Sequence, residues 1–487
     1  MKIVKQSFKS LLLVLTLLLS SCSKDNDSSN TDDTIPDDPN DPVEITVSTS
    51  DFTTTIDENP FYRQVLGVVE GSTNQGVVKF FTEPSGQIPP LSFSVDSLSG
   101  ELTVRVDTNY DYETNTSVTG IVKVVNGSVF ENSTITININ DIYEKTYTGD
   151  VLLLTQEEVD LFGVNDYTVI TGKLEIGSVD SPNNSITDLS PLSSIVTVGS
   201  DFSILQNNSL TNLNGLGNIT TIGNHLKIIQ NDVLIDISSL INIISVENSI
   251  NIMENNLLPT IDGLNNIAAI HALIINANQS LTNIDGLAGV ETIEGSVIYI
   301  LDNPALLNVD GLANVIDFSN RGLRIENNPS LGHIDILNNT NTLRYIHINN
   351  NTSLENINGF SGLTKVTEDF QITENPNLNS ISGLNNLTTV IGKFSLKDSS
   401  LENLNGLNGL ASLDILYIYN NNGILNLDEL NNLSEVRSLG ISSNERLYDF
   451  CGLQNLFLSS NELENFSTWG NAYNPTEQDI INGNCSL

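Results

Sequence analysis

The stretch from Gly322 to Leu337 reads GLRIENNPSLGHIDIL, and its pattern decides the fold. Leu323 and Ile325 alternate with Arg324 and Glu326, which is the period of a strand with one buried face and one solvated face. Asn328-Pro329 then turns the chain. Leu331 and Ile334 bring it back to the interior. The same unit recurs at near-constant spacing. Aligned on its asparagine, the rungs are Asn183, Asn207, Asn231, Asn255, Asn278, Asn303, Asn328, Asn351, Asn375, Asp398, Asn421 and Asn444, with only Asp398 departing in type. Three residues after each rung stands an aliphatic residue, as in Leu210, Leu234, Leu306 and Leu378, and a second apolar ladder follows six residues after it. A fixed period of this size is the signature of a solenoid, whose coils bury their apolar side chains only by stacking on one another. Each asparagine is expected to turn the chain and hydrogen-bond neighbouring coils as a stacked ladder. A second turn is marked by glycine at Gly215, Gly263, Gly286, Gly311, Gly383 and Gly406. At about 4.8 Å per coil the stack is roughly 55 Å long.

The coil resembles a leucine-rich repeat and is closer to the receptor L-domain. That resemblance covers about Asp150 to Leu487 and implies a right-handed β-solenoid of about twelve coils over residues 174–450. The ends of a solenoid expose an apolar cross-section and need caps. Residues 144–173 read as the N-terminal cap, with a strand over 150–155 and a short helix over 156–162 that Thr155 caps. Residues 451–487 read as the C-terminal cap, since the period stops after the run Asp449-Phe450-Cys451-Gly452-Leu453. Cys451 and Cys485 flank this tail and are expected to form a disulfide in an exported chain.

The N-terminus is what assigns export. Lys2, Lys5 and Lys9 precede the apolar run SLLLVLTLLL at 10–19, followed by Leu19-Ser20-Ser21-Cys22. This is the pattern of a signal peptide over 1–21. Its ending resembles the bacterial lipobox, which implies that Cys22 is lipidated and anchors the chain to a membrane. Residues 22–42 are rich in Asp, Asn, Ser and Pro and read as a disordered acidic tether. Their start, Ser23-Lys24-Asp25-Asn26-Asp27, resembles the export signal of surface lipoproteins of the Bacteroidetes. That resemblance implies an outer-membrane protein exposed on the cell surface.

Residues 43–143 change period. Runs such as ELTVRV and STITININ alternate every second residue between turn-forming stretches, as in a β-sandwich. Asp57-Glu58-Asn59-Pro60, Asp111-Tyr112-Glu113 and Ile137-Asn138-Ile139-Asn140-Asp141 stand in the order of a cadherin repeat, which this segment resembles. The resemblance implies Ca²⁺ held by Glu58, Asp111, Glu113, Asn140 and Asp141. Hard cations of this kind take six to eight oxygens. The segment departs from the family at Asn138, where an Asp is usual. It also lacks the middle acidic motif, near Val124-Val125-Asn126-Gly127, and no second repeat follows. The fold class expected for the whole chain is mostly β: a cadherin-like sandwich followed by the solenoid.

The chain of 487 residues carries 59 acidic and only 19 basic residues, a net charge of −40. This excludes nucleic acid as a partner, because phosphate neutralisation needs Lys and Arg. The histidines His225, His271, His333 and His347 fall in separate coils and form no zinc-protease pair, and no nucleotide or hydrolase motif is present. A non-catalytic role in binding or adhesion, with an extracellular protein or glycan as ligand, is therefore the leading expectation. The alternatives are a carbohydrate-active solenoid enzyme and a purely structural envelope protein. The ligand face is expected on the outward strand positions before each rung. Those positions include Lys227, Met253, Tyr299, Arg324, His347, Tyr417 and Tyr419, and aromatic and Arg residues dominate binding hot spots.

Overall fold

The computed structural model describes residues 44–83, 92–142, 144–180, 185–316, 318–459 and 463–487. The signal stretch, Cys22, the tether and the rung Asn183 lie outside them. The chain is mostly β, with antiparallel sandwich sheets first and one long parallel sheet after them. Among the described residues no helix is long and apolar enough to cross a membrane.

In the sandwich, the strand Val129–Asn140 is central. It pairs antiparallel with Ser117–Asn126 and parallel with Phe52–Asp57, and Lys79–Glu83 closes the far edge. A facing sheet is made of Val65–Val68, Glu101–Val104 and Phe93–Val95. Alternation sends Val122, Val124, Ile135 and Ile137 inward onto Phe80, Phe93, Leu102 and Tyr110. This is the two-sheet solution for strands with one apolar face.

The solenoid follows from the ladders. A 16-stranded parallel sheet runs from Val151–Leu153 to Asn465–Trp469, and successive coils pair in register, as in Leu323↔Ile346 and Ile325↔Ile348. Short strands such as Thr197–Val198 and Thr221–Ile222 form a second parallel sheet. The aliphatic ladders, among them Leu306, Leu331, Leu354 and Leu378, are fully buried in one continuous core. Four of the marked glycines, Gly263, Gly286, Gly311 and Gly383, sit in single 3-10 turns such as Asp285–Leu287. A Cβ on Gly286 would stand 1.9 Å from the carbonyl oxygen of Ile261, so glycine is needed there for the close approach of adjacent coils.

The asparagine ladder is buried, and from Asn231 to Asn444 the protein satisfies its amides. Asn303 shows the pattern. Its backbone N–H and its Nδ2 both donate to Oδ1 of Asn328, at 3.0 and 3.3 Å, and Nδ2 also donates to the carbonyls of Ile275 and Leu301. The structure corrects one rung. Register pairs Asn375 with Ser399, and the Ser399 N–H donates to Oδ1 of Asn421 at 3.2 Å. Asp398 instead takes φ 55°, the left-handed position that Glu374 and Asn420 hold before their own rungs. Similarity between Asp and Asn points to the wrong neighbour by one residue. The ladder also continues past Asn444, whose N–H and Nδ2 donate to Oδ1 of Asn471 at 3.0 Å.

At the N-terminal end, helix Gln156–Gly163 has a full capping box with Thr155 and Glu158. At the other end the sheet does not stop where the sequence period does, because Asn465–Trp469 adds a further parallel strand beside Glu435–Ser442. Cys451 and Cys485 form a disulfide with Cα atoms 4.9 Å apart. The sandwich touches the flank of the solenoid through an ion pair of Arg63 with Glu291.

Candidate functional site

Where the sandwich meets the solenoid, loops bring carboxylates together. Oxygens of Glu58, Glu113 and Asp141 all lie within 4.8 Å of one another. Glu58 is 3% exposed. Its carboxylate accepts the N–H groups of Tyr112, at 2.8 Å, and Ile142, at 2.7 Å. These two bonds tie the Asp111-to-Glu113 turn and the end of the last strand to one anchor. Of the other two residues of the expected set, Asp111 stands beside Glu113 and Asn140 is turned to Asp57. Asp111 accepts the Thr114 hydroxyl at 2.8 Å and the Glu113 N–H at 3.1 Å, which hold it below the usual carboxylate range. The amide of Asn140 donates to Asp57 at 3.0 Å.

Glu144 joins the cluster from the linker, and no motif in the sequence marks it. It accepts the Asn59 amide at 2.7 Å, and burial, together with the charges of Glu58 and Glu113, pushes its carboxyl upward. Glu113 is also raised. A hydrogen bond from its own N–H opposes the shift, but desolvation and the charges of Glu58 and Asp111 outweigh it. The cluster is thus a place where like charges crowd.

The ligand-face candidates fall into separate groups. Lys227 is ion-paired with Asp201 near the N-terminal end of the sheet. Tyr299, Arg324 and His347 are direct neighbours on three successive strands. Arg324 reaches Glu326 through two bonds of 3.0 and 2.8 Å, and His347 approaches the same carboxylate at 3.7 Å. Burial opposes the charge on Glu326, but His347 and Arg324 prevail and lower its carboxyl to about 2. The Tyr299 hydroxyl meets that of Tyr345 at 2.8 Å. It can do so only because the Tyr345 ring lies over Gly322 on the strand between, 2.1 Å from where a Cβ would be. Tyr345 is 9% exposed, and burial followed by the Tyr299 bond pushes its phenol up to about 12. This central group is largely closed on itself.

Tyr417 and Tyr419 lie three strand steps further along, through Gln371 and Ser395. They are 36% and 37% exposed, and Trp469, at 57%, continues their row. Register places Ser442 between Tyr419 and Trp469, and the two rings are 6.3 Å apart. Tyr417 leans over Gly440, where a Cβ would stand 2.8 Å from its ring. The Lys397 ammonium is 5.7 Å from the Tyr417 centroid. Trp469 escapes the sequence reading because the strand that carries it lies past the point where the coil spacing breaks.

No protein-family model and no curated protein matches the chain. Among solved structures, the crystal structure of Drosophila N-cadherin EC1-4 is similar to 22% of this chain and to 29% of its own length, at 13% identity and a TM-score of 0.19. The match spans under a third of that cadherin chain, and the likeness is too distant to carry a ligand across.

Proposed function

We propose that the chain is a non-catalytic binding or adhesion module of the bacterial outer membrane. Lipid on Cys22 anchors it, and the exposed face of the long sheet receives a protein or glycan. The observation that carries this reading is the half-exposed pair Tyr417 and Tyr419 on a regular sheet whose opposite side is an aliphatic core. Rigid aromatic side chains on a preformed surface lose little entropy on binding. The test is adhesion of cells that display the full chain to immobilised extracellular proteins and polysaccharides. Display should raise adhesion on at least one surface, and paired Tyr417→Ala and Tyr419→Ala substitutions should return it to background. Equal adhesion with and without the chain on every surface would remove the proposal. Cys22→Ser should release the protein from the membrane fraction.

The acidic cluster supports a further part of this reading, that the sandwich holds Ca²⁺. Calcium–oxygen bonds of about 2.3–2.6 Å place two ligands on opposite sides of an ion about 5 Å apart. The 4.8 Å spread of Glu58, Glu113 and Asp141 fits that limit. In this proposal those three residues are the ligands, and Glu144 is a neighbouring acceptor. The ion would neutralise a junction that is otherwise crowded with negative charge.

A further inference from the structure

We propose that the C-terminal end of the sheet face is a subsite for neutral glycans, built from the faces of Tyr417, Tyr419 and Trp469. This deepens the binding function and rests on it. Three observations converge. First, the rings are presented rather than packed away. All three are at least one-third exposed, whereas Tyr345, on the same face, is buried against its neighbours. Second, the floor is small. Gly440 is the register neighbour of Tyr417, with Ser467 one step beyond it, and Ser442 lies between Tyr419 and Trp469, so no side chain taller than a hydroxymethyl stands between the rings. Tyr417 and Tyr419 are two residues apart on one strand, and Trp469 is two ladder steps from Tyr419, about 10 Å at the usual strand spacing. That is a ledge with room for two pyranose rings. Third, the polar groups close to it are a hydroxyl row and one ammonium, Lys397.

This chemistry suits a sugar. The aromatic face is electron-rich and attracts the polarised C–H bonds on the apolar face of a pyranose. Serine hydroxyls and the Lys397 ammonium can exchange hydrogen bonds with the sugar hydroxyls. A standard protein partner would need roughly 800 Å² on this side and a surrounding rim that excludes water. Three rings set among serines fall short of that. A net charge of −40 disfavours an anionic occupant.

The chain itself supplies the probe, because Trp469 is its single tryptophan. Any change in tryptophan emission reports on this ledge. The full chain is titrated with hexaoses of the cello, laminari, xylo, manno, malto and chito series. At least one should give a saturable emission change that survives 1 M NaCl. Tyr419→Ala should weaken it about two- to tenfold. Gly440→Ala keeps all three rings but pushes Tyr417 off its floor, and should weaken binding with an unchanged melting temperature. No saturable change with any hexaose, or a change indifferent to both substitutions, overturns the proposal. A second arm separates this failure from failure of the binding function. The full chain is applied to extracellular matrix treated with periodate or with protease. Retention lost only to periodate supports a glycan. Retention lost only to protease sinks the glycan subsite and leaves a protein-binding module, and retention on no surface sinks both.

Discussion

Two groups of polar side chains are crowded together in this chain, and they are held by opposite means. The asparagine ladder runs fully buried along the solenoid, yet from Asn231 to Asn444 each amide finds its acceptors and donors on the coils before and after it, as at Asn303. The carboxylates Glu58, Glu113 and Asp141 meet at the end of the sandwich, and desolvation together with neighbouring charge pushes Glu113 and the nearby Glu144 upward. An amide is both donor and acceptor, so a column of identical amides closes on itself. A carboxylate is only an acceptor when ionised, so a group of them cannot close on itself as the amides do. The ladder is therefore scaffold, and the cluster is where the molecule is open to its surroundings.

The contrast can be broken at the ladder with the largest effect. Asn328→Asp is nearly isosteric but replaces the donor to Ile300, Glu326 and Asn351 with an acceptor. The buried unpaired charge should cost about 3–5 kcal/mol in denaturant titrations at neutral pH. Acidification should restore part of it, and calcium none. Full stability at neutral pH would show that the ladder tolerates a charge, and the contrast would fall.

Next in size is the C-terminal closure. Cys451→Ser with Cys485→Ser opens a loop spanning 34 positions and should cost about 3–4 kcal/mol in the chain-entropy model. Loss should begin at the last coils, where amide exchange in Glu435–Ser442 should rise before exchange in Gly322–Glu326.

The cluster should answer to ions where the ladder does not. Saturating Ca²⁺, at about 100 times its dissociation constant, should add about 2.7 kcal/mol to the sandwich. Glu58→Gln should abolish the increment. The sign with pH follows from the raised carboxyls of Glu113 and Glu144. Their native forms hold protons more tightly than the unfolded chain, so in chelator these two groups add stability as pH falls from neutral into the carboxylate range, opposite in sign to the lowered Asp111, and Glu113→Gln with Glu144→Gln should remove that gain. A sandwich transition that is unmoved by calcium would remove the metal assignment.

The smallest effect belongs to Glu326. Its folded carboxyl is lowered to about 2 from 4.5. Its contribution is therefore present above pH 4.5 and lost as pH falls toward 2. After allowance for solvent screening, Glu326→Gln should cost about 1 kcal/mol at neutral pH and nothing at the acid end of that window, read from melting curves.

Much of this architecture is legible in residue order, because periodicity is a local property. Leu306 and Leu331 recur in phase, and that phase alone places them in a shared core. The misplacement of the rung at Asp398 shows the limit. Residue type favours Asp, but the left-handed backbone position precedes the rung, and only the backbone identifies Ser399. The face candidates were legible singly as outward strand residues. Their partners were not, since Tyr299 reaches Tyr345 across an intervening strand, over Gly322.

The sequence by itself determined the repeat, the inward and outward alternation, the change of period between sandwich and solenoid, and the isolation of Cys451 and Cys485 beside a non-repeating tail. These are patterns between near neighbours along the chain. Only the tertiary structure decided which polar residues are closed and which are open. It turned Arg324 onto Glu326, carried Glu144 into the junction beside Glu58, and set Trp469 in line with Tyr419. Each of these depends on where distant segments end up in space, and on which side chain reaches a shared partner first.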